Sequence, residues 1–395
     1  MERSTLVVKK VFLGLLFLSF TFSQVLRLET VYGFGIMVLD LFVIGGSVMW
    51  YGVLCFQKKI TLDFLSKLFF GFMGVGLLGL LINPLHISDI QRGISVLYLV
   101  RYLAFGLLFF SLRTEKKLTP FLKSGLFVSG GVILMLGYLQ YFFYNNLRNV
   151  YYLGWDEHVH RLFTTFLDPN FAGIFFTLYL LYLFYALFHN WFTTKWVYAL
   201  IPLTTLALIL TYSRSSYICA AIGVITLFWF EKKKKALLAF FSGVGILLLL
   251  LLPTFFTHNT DLFRIASSVS RVDSVKMGLD IASRHLITGV GFNAYRYAVQ
   301  TYGYHKNSDI QYNHAEAGNN TSFLFVLGTT GVLGLGLYCL FLYEFVKTYG
   351  NNKQKGIVFG SMLVLVIGSV FNNVLFYTPL LFFFYLTIVS INSEK

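Results

Sequence analysis

The chain has 395 residues, 57% of them hydrophobic and only 12% charged, and phenylalanine alone supplies 44. A soluble core fills well below that apolar fraction, so the composition excludes a soluble domain and points to an all-α, polytopic membrane protein. The net charge of +14 would suggest a nucleic-acid partner in a soluble chain, but in this class it reads as orientation charge on loops, and no nucleic acid is expected.

The N-terminal stretch VVKKVFLGLLFLSFTFSQ places lysines before an apolar run, as a signal peptide does. No small-x-small cleavage site follows it and further spans do, so an uncleaved first helix is expected. Apolar windows of roughly 17–25 residues read as spanning helices. About twelve occur, at 8–24, 34–55, 67–83, 94–112, 124–145, 170–188, 196–212, 215–230, 236–256, 321–346, 356–374 and 376–391. The last two are split at NNVLFYTP and could instead form a re-entrant pair. Residues 1–395 form one integral membrane domain, within which 257–320 is a large extracytoplasmic loop between the ninth and tenth spans. Cys55, Cys219 and Cys339 lie far apart in apolar runs and have neither metal nor redox spacing.

With the N-terminus inside, the inner segments hold 19 of the 31 basic residues, including the lysine run Lys232–Lys235. The short outer loops hold 5: Arg27, Arg92, Arg148, Arg161 and Arg214. This bias places both termini in the cytoplasm.

Two charges fall inside spans. Asp40 and Arg101 each lie roughly 10 Å below the outer end of an expected helix, at 1.5 Å per residue. Their equal depth allows a buried pair, either structural or lining a path. The remaining reactive groups gather at the outer face. In HVHRLFTTFLDPNFAG, Asp168 can cap a helix that opens with Pro169, and Arg161 and Asn170 can line a polar site. In LILTYSRSSYICAA, Arg214 stands among three serines where a helix begins. That is either a snorkelling anchor or an anion site.

In the long loop, Val272, Val275, Leu279, Ala282 and Leu286 recur at helical spacing. They predict an amphipathic helix that starts near Arg271, ends at Gly289, and lies on the bilayer or over the bundle mouth. GVGFNA, at 289–294, matches a dinucleotide fingerprint but follows a helix and not a strand, so that reading is rejected. Asp309, His314 and Glu316 crowd NSDIQYNHAEAGNNTS and offer a general base. They lack the ligand spacing of a metal site. The two overlapping sequons there are given no role.

In order and sidedness, several of these motifs together resemble the O-antigen ligase and polysaccharide polymerase family, the Wzy/WaaL-like transferases of lipid-linked glycans. They are the Arg161-to-Asn170 element, YSRSSY, Arg271 before a helix and the Gly289–Gly291 turn, and the Gly331–Gly334 pair. The family's His-Asn pair would fall on Asn320 and Thr321, so its histidine is missing, with His314 or Glu316 as replacement.

The resemblance implies a donor glycan on a polyprenyl diphosphate such as undecaprenyl diphosphate, presented at the outer leaflet and transferred to an acceptor hydroxyl. Arg214 and Arg271 would clamp the diphosphate, while Arg161, Asn170, Asn320 and Arg101 would bind the substrate. His314 or Glu316 would take the hydroxyl proton. No metal, no cofactor and no nucleotide sugar are expected. A polymerase extending polysaccharide for the cell envelope is favoured over a ligase that uses lipid A core, with a flippase and a chain-length regulator as further partners. The alternative of another class is a lipid-linked glycan transporter, which should show an internal repeat that is not evident here.

Overall fold

The structure, a computed structural model, describes residues 2–29, 34–56, 62–153, 156–251, 253, 266–304, 318–351 and 353–392. Among these residues are fourteen α-helices: α1 (Glu2–Phe22), α2 (Val38–Phe56), α3 (Phe64–Ile82), α4 (Asp89–Leu112), α5 (Thr119–Phe143), α6 (Pro169–Phe188), α7 (Thr194–Leu210), α8 (Arg214–Phe230), α9 (Lys234–Leu250), α10 (Ala266–Arg284), α11 (Tyr295–Thr301), α12 (Ser322–Tyr349), α13 (Lys355–Phe371) and α14 (Thr378–Asn392). Seven helices, α1 to α6 and α12, are long and apolar enough to cross a membrane, and α7, α8, α13 and α14 are shorter apolar helices. The protein is an integral membrane protein of helical bundle type.

A helix stands at each of the twelve expected span positions. Five of them, α7, α8, α9, α13 and α14, have 17 residues or fewer, so length and composition alone support seven spans. The helices are local consequences of sequence. Ser88 and Gln91 form a reciprocal capping box at the start of α4. Asp63 caps α3 through the Ser66 amide at 3.0 Å. Pro169 follows the Asp168 cap at α6, where its missing N–H costs nothing.

Helices α6 and α14 form the centre. Nearly every residue of each is buried, which suits helices that are apolar on all sides. By contrast α9 has no buried residue and stands at the rim, with Leu238, Ile246, Leu249 and Leu250 exposed. Helix ends sort into two faces. On one, Glu115 takes Lys9 and the Trp50 indole N–H, Arg113 pairs with Asp63 at 2.7 Å, and Gln354 donates to the Ile391 carbonyl at 2.6 Å. The opposite face carries Arg161, Arg214 and the described part of the 257–320 segment.

One feature departs from the expectations. Residues 34–37 do not begin the second span. Gly35–Met37 (β2) pairs antiparallel with Arg27–Glu29 (β1), so the fold holds a small hairpin beside its helices. Asp40 therefore sits in the first turn of α2, where it accepts the Met37 amide at 3.0 Å, and not two turns deep. Apolar composition alone cannot tell a short buried strand from a helix start.

The expected loop helix is present as α10, Ala266–Arg284. Val272, Leu279 and Leu286 are about half exposed, while Ser274, Gly278, Ile281 and Ala282 face inward against α12. Small side chains won that face because Asn319 packs against it. A Cβ at Gly278 would stand 2.5 Å from the Asn319 Nδ2.

Candidate functional site

The site is built at the turn between α7 and α8. Tyr212 takes a left-handed backbone (φ 48°) that reverses the chain. Such a residue persists only where its surroundings hold it. Here the holder is Arg161, which is buried at 5% exposure. Its Nε donates to the Thr211 carbonyl at 3.0 Å and its Nη2 to the Tyr212 carbonyl at 3.3 Å. These carbonyls close the end of α7, where a helix leaves acceptors unsatisfied. Gln140 of α5 fixes the strand that carries Arg161, accepting the Phe163 and Thr164 amides and donating to the Arg161 carbonyl at 3.2 Å. Arg161 thus orients the turn from behind.

Ahead of the turn, three helix N-termini meet. Ser213 precedes α8 and donates to the Asn170 Oδ1 in the first turn of α6 at 3.0 Å. Ser216 donates to the Ser213 Oγ at 2.9 Å. Gly173 allows this approach, since a Cβ there would lie 2.3 Å from the Ser216 Oγ. Asn372, which ends α13, donates to the Ser215 Oγ at 3.3 Å. Its neighbour Asn373 accepts from Ser322, the first residue of α12, at 3.0 Å. One hydrogen-bonded string of carboxamides and hydroxyls therefore ties the starts of α6, α8 and α12 to the end of α13.

Arg214 is half-buried within this string. Arg271 comes to it from α10, with its guanidinium carbon 5.8 Å from the Phe371 ring, next in the chain to Asn372. Arg214 precedes Ser215 in the chain, and Arg271 lies against Phe371, which precedes Asn372, so both arginines are neighbours of the residues joined by the Ser215–Asn372 hydrogen bond. Asp168 caps α6 through the amides of Asn170 at 2.6 Å and Phe171 at 3.3 Å. Burial raises its carboxyl above the ordinary value, and those two amides and the Arg161 charge offset part of the rise.

The loop is locked in by backbone pairing. Helix α12 breaks at Gly331 (φ 64°), and the freed carbonyls of Gly328 and Thr329 accept the Val290 and Gly291 amides at 3.0 and 2.9 Å. The Val332 amide turns to the Leu286 carbonyl at 2.8 Å. Gly289 and Gly291 also have positive φ. The two glycine motifs are thus two halves of one joint, which satisfies polar groups that a broken apolar helix would otherwise leave bare.

Asn320 touches this region through its backbone, donating to the Ser274 Oγ at 3.2 Å. The buried side chain is that of Asn319, which donates to the Ser274 carbonyl at 2.6 Å and the Tyr295 hydroxyl at 2.9 Å. Arg101 is not in this cluster. It pairs with Asp40 at 3.4 Å, near the hairpin. Asp309, His314 and Glu316 lie outside the described residues. Among the described residues no group of three or more His, Cys, Asp or Glu could hold a metal ion.

Sequence reasoning missed Asn372, Asn373, Ser322 and Asn319. The only trace of the first two was a polar pair between apolar runs, which served to divide two spans.

Fold and site together define an integral membrane protein that gathers arginines, hydroxyls and carboxamides where helix N-termini converge. Residues 197–339 match the family model of the O-antigen ligases, and the family resemblance is thereby shown for this part of the chain. The matched stretch holds Arg214, Arg271 and both glycine motifs. Arg161, Asn170 and Asn372 lie outside it. No curated protein matches the chain.

Proposed function

We propose that the protein is a metal-independent glycosyltransferase that moves a glycan from a polyprenyl diphosphate onto an acceptor sugar hydroxyl, acting as a polysaccharide polymerase. The observation that supports this best is the Asn372–Ser215 hydrogen bond, which joins the chain beside Arg214 to the end of α13, where Arg271 lies against Phe371. The acceptor oxygen bonds to the anomeric carbon while the bond from that carbon to the diphosphate oxygen breaks. The lipid diphosphate leaves with the electron pair, and the hydroxyl proton passes to His314 or Glu316. Negative charge grows on the leaving group, so two preorganised guanidinium groups stabilise the transition state more than the ground state. Asn170 and Asn320 border the glycan, and Arg161 positions the turn.

In this reading the protein lies in the cytoplasmic membrane as one domain of twelve spans. Both termini are cytoplasmic, and the site, with the 257–320 loop, faces outward. The charge bias of 19 to 5 supports that orientation. Ligation to lipid A core is the second reading, favoured by the description of the matching family.

The test is purified protein with lipid-linked glycan, with and without lipid A core, and with and without excess chelator. Chelator-resistant release of polyprenyl diphosphate with longer lipid-linked chains is expected. Product only on lipid A core makes it a ligase. No release under either condition, or release abolished by chelator and restored by a divalent ion, overturns the arginine mechanism.

A further inference from the structure

Arg296, in α11, is 8% exposed, and its Nε is buried without a hydrogen-bond partner. Among the described residues it donates no hydrogen bond and faces no carboxylate. Its neighbours are aromatic: the Tyr98 ring lies 5.6 Å from the guanidinium carbon, and the Tyr297 hydroxyl feels its charge. A cation–π contact recovers only a small part of what burying an unpaired charge costs. Among the described residues the charge is thus left without a counter-charge.

The nearby carboxylate is already committed. Asp40, fully buried, accepts Arg101 at 3.4 Å, the Met37 amide at 3.0 Å and the Thr378 hydroxyl at 3.2 Å. Arg101 also lies over Tyr98, 4.6 Å from its centroid, and donates to the Gly35 carbonyl at 3.4 Å. Arg296 and Arg101 thus both lie at the Tyr98 ring, which also feels Arg27; Arg101 pairs with Asp40 and Arg27 with Glu29, and among the described residues Arg296 faces no acid. The arrangement is separate from Arg214 but tied to it. Asn372 ends α13 and Thr378 opens α14, at the two ends of one short connector, and they touch Ser215 and Asp40, respectively. Six residues span at most about 20 Å.

We infer that Arg296, with Arg101 and Tyr98, forms a second anion site, which takes a carboxylate or phosphate group carried by the acceptor glycan. This rests on the proposed transfer reaction and specifies its acceptor as acidic. The guanidinium groups fit planar or tetrahedral oxyanions through their forked N–H donors, and the tyrosine ring offers a platform for the sugar that bears the anion.

The test is binding, measured by calorimetry on the full-length protein in phosphatidylcholine nanodiscs, without turnover. Probes are a glucuronate-bearing oligosaccharide, its neutral glucose counterpart, and inorganic phosphate. The wild type should bind the acidic probe at least roughly tenfold tighter than the neutral one, as expected for a charge-assisted contact. Arg296→Gln should abolish the preference, Arg296→Lys should keep part of it, and Arg148→Lys, at an exposed residue paired with Glu157, should keep all of it. The variants are compared at matched melting midpoints. Equal binding of acidic and neutral probes, or an intact preference in Arg296→Gln, overturns the site. Repeating the measurement in phosphatidylglycerol nanodiscs separates the sources of the anion. A preference lost there assigns the site to a lipid headgroup and overturns the glycan assignment. If the wild type binds the acidic probe but never releases lipid diphosphate, the transfer reading fails while the anion site stands.

Discussion

The Nε of Arg161 donates to the carbonyl of Thr211 across a sequence separation of 50 residues, at 3.0 Å. Through this bond and its companion to Tyr212, a side chain that belongs to one polar segment sets the backbone that presents another, Ser213–Arg214. Arg161→Leu would leave two buried carbonyls without a donor, at about 1–3 kcal/mol each. Because the turn then shifts, turnover should fall roughly 10- to 100-fold. Arg161→Lys should recover part of both losses. Steady-state kinetics beside melting curves will decide. A leucine variant with lower stability but unchanged turnover would limit Arg161 to holding the fold.

At Arg214, geometry and charge can be separated. A diphosphate clamp needs the guanidinium fork, so Arg214→Lys should lose much of the activity although its charge remains. Arg214→Ala should lose more, roughly 30- to 1000-fold, the equivalent of about 2–4 kcal/mol. Arg148→Lys serves as control, since Arg148 is exposed and paired with Glu157 at 3.0 Å. Glycan turnover at matched protein levels is the measurement. Equal rates in the two lysine variants would make Arg214 an anchor.

The break in α12 makes a prediction about assembly. At Gly331 an added Cβ would stand 2.1 Å from the Ile287 carbonyl oxygen, on a backbone with φ 64°. Gly331→Ala should therefore lower stability by about 1–3 kcal/mol from backbone strain alone. Displacing the 286–291 turn should also reduce activity. Gly336→Ala, five residues on, meets no atom within 4 Å and should be silent. A melting midpoint unchanged in Gly331→Ala would mean that the joint is not required.

Asp168 gives a pH dependence. Burial raises its carboxyl above the model-compound value of 3.8. A carboxyl raised on folding favours the folded protein fully below its unfolded value and loses that contribution as pH rises through its folded value. At pH 7 its charge is thus a cost. Asp168→Asn keeps a capping oxygen without the charge, so its midpoint at pH 7 should equal or exceed the wild type's, and the difference should shrink below pH 4. Asp168→Ala removes the cap and should lose about 1 kcal/mol at both pH values. A clear loss of stability in the asparagine variant at pH 7 would show that the negative charge itself is needed.

Much of the fold is written locally. The apolar runs, the Asp168–Pro169 start of α6, the Ser88 cap and the serine-flanked arginine are read from neighbours a few residues apart, because helix starts and spans are set by short-range hydrogen bonding and by transfer of contiguous side chains out of water. The order of the motifs also pointed to the family that residues 197–339 match. The strand pair at the start of the second span was misread, and the inward face of α10 was not read, since strand pairing and close approach at Gly278 depend on partners elsewhere. The Asn372–Ser215 bond joins residues 157 apart, and the amide of Val290 finds the carbonyl of Gly328 only once α12 has broken at Gly331. Nothing in either local sequence names the other. Sequence alone determined which segments form apolar helices and which polar residues lie at their ends. Only the packed bundle decided which ends meet, because a buried donor must find an acceptor and the nearest one is set by helix arrangement.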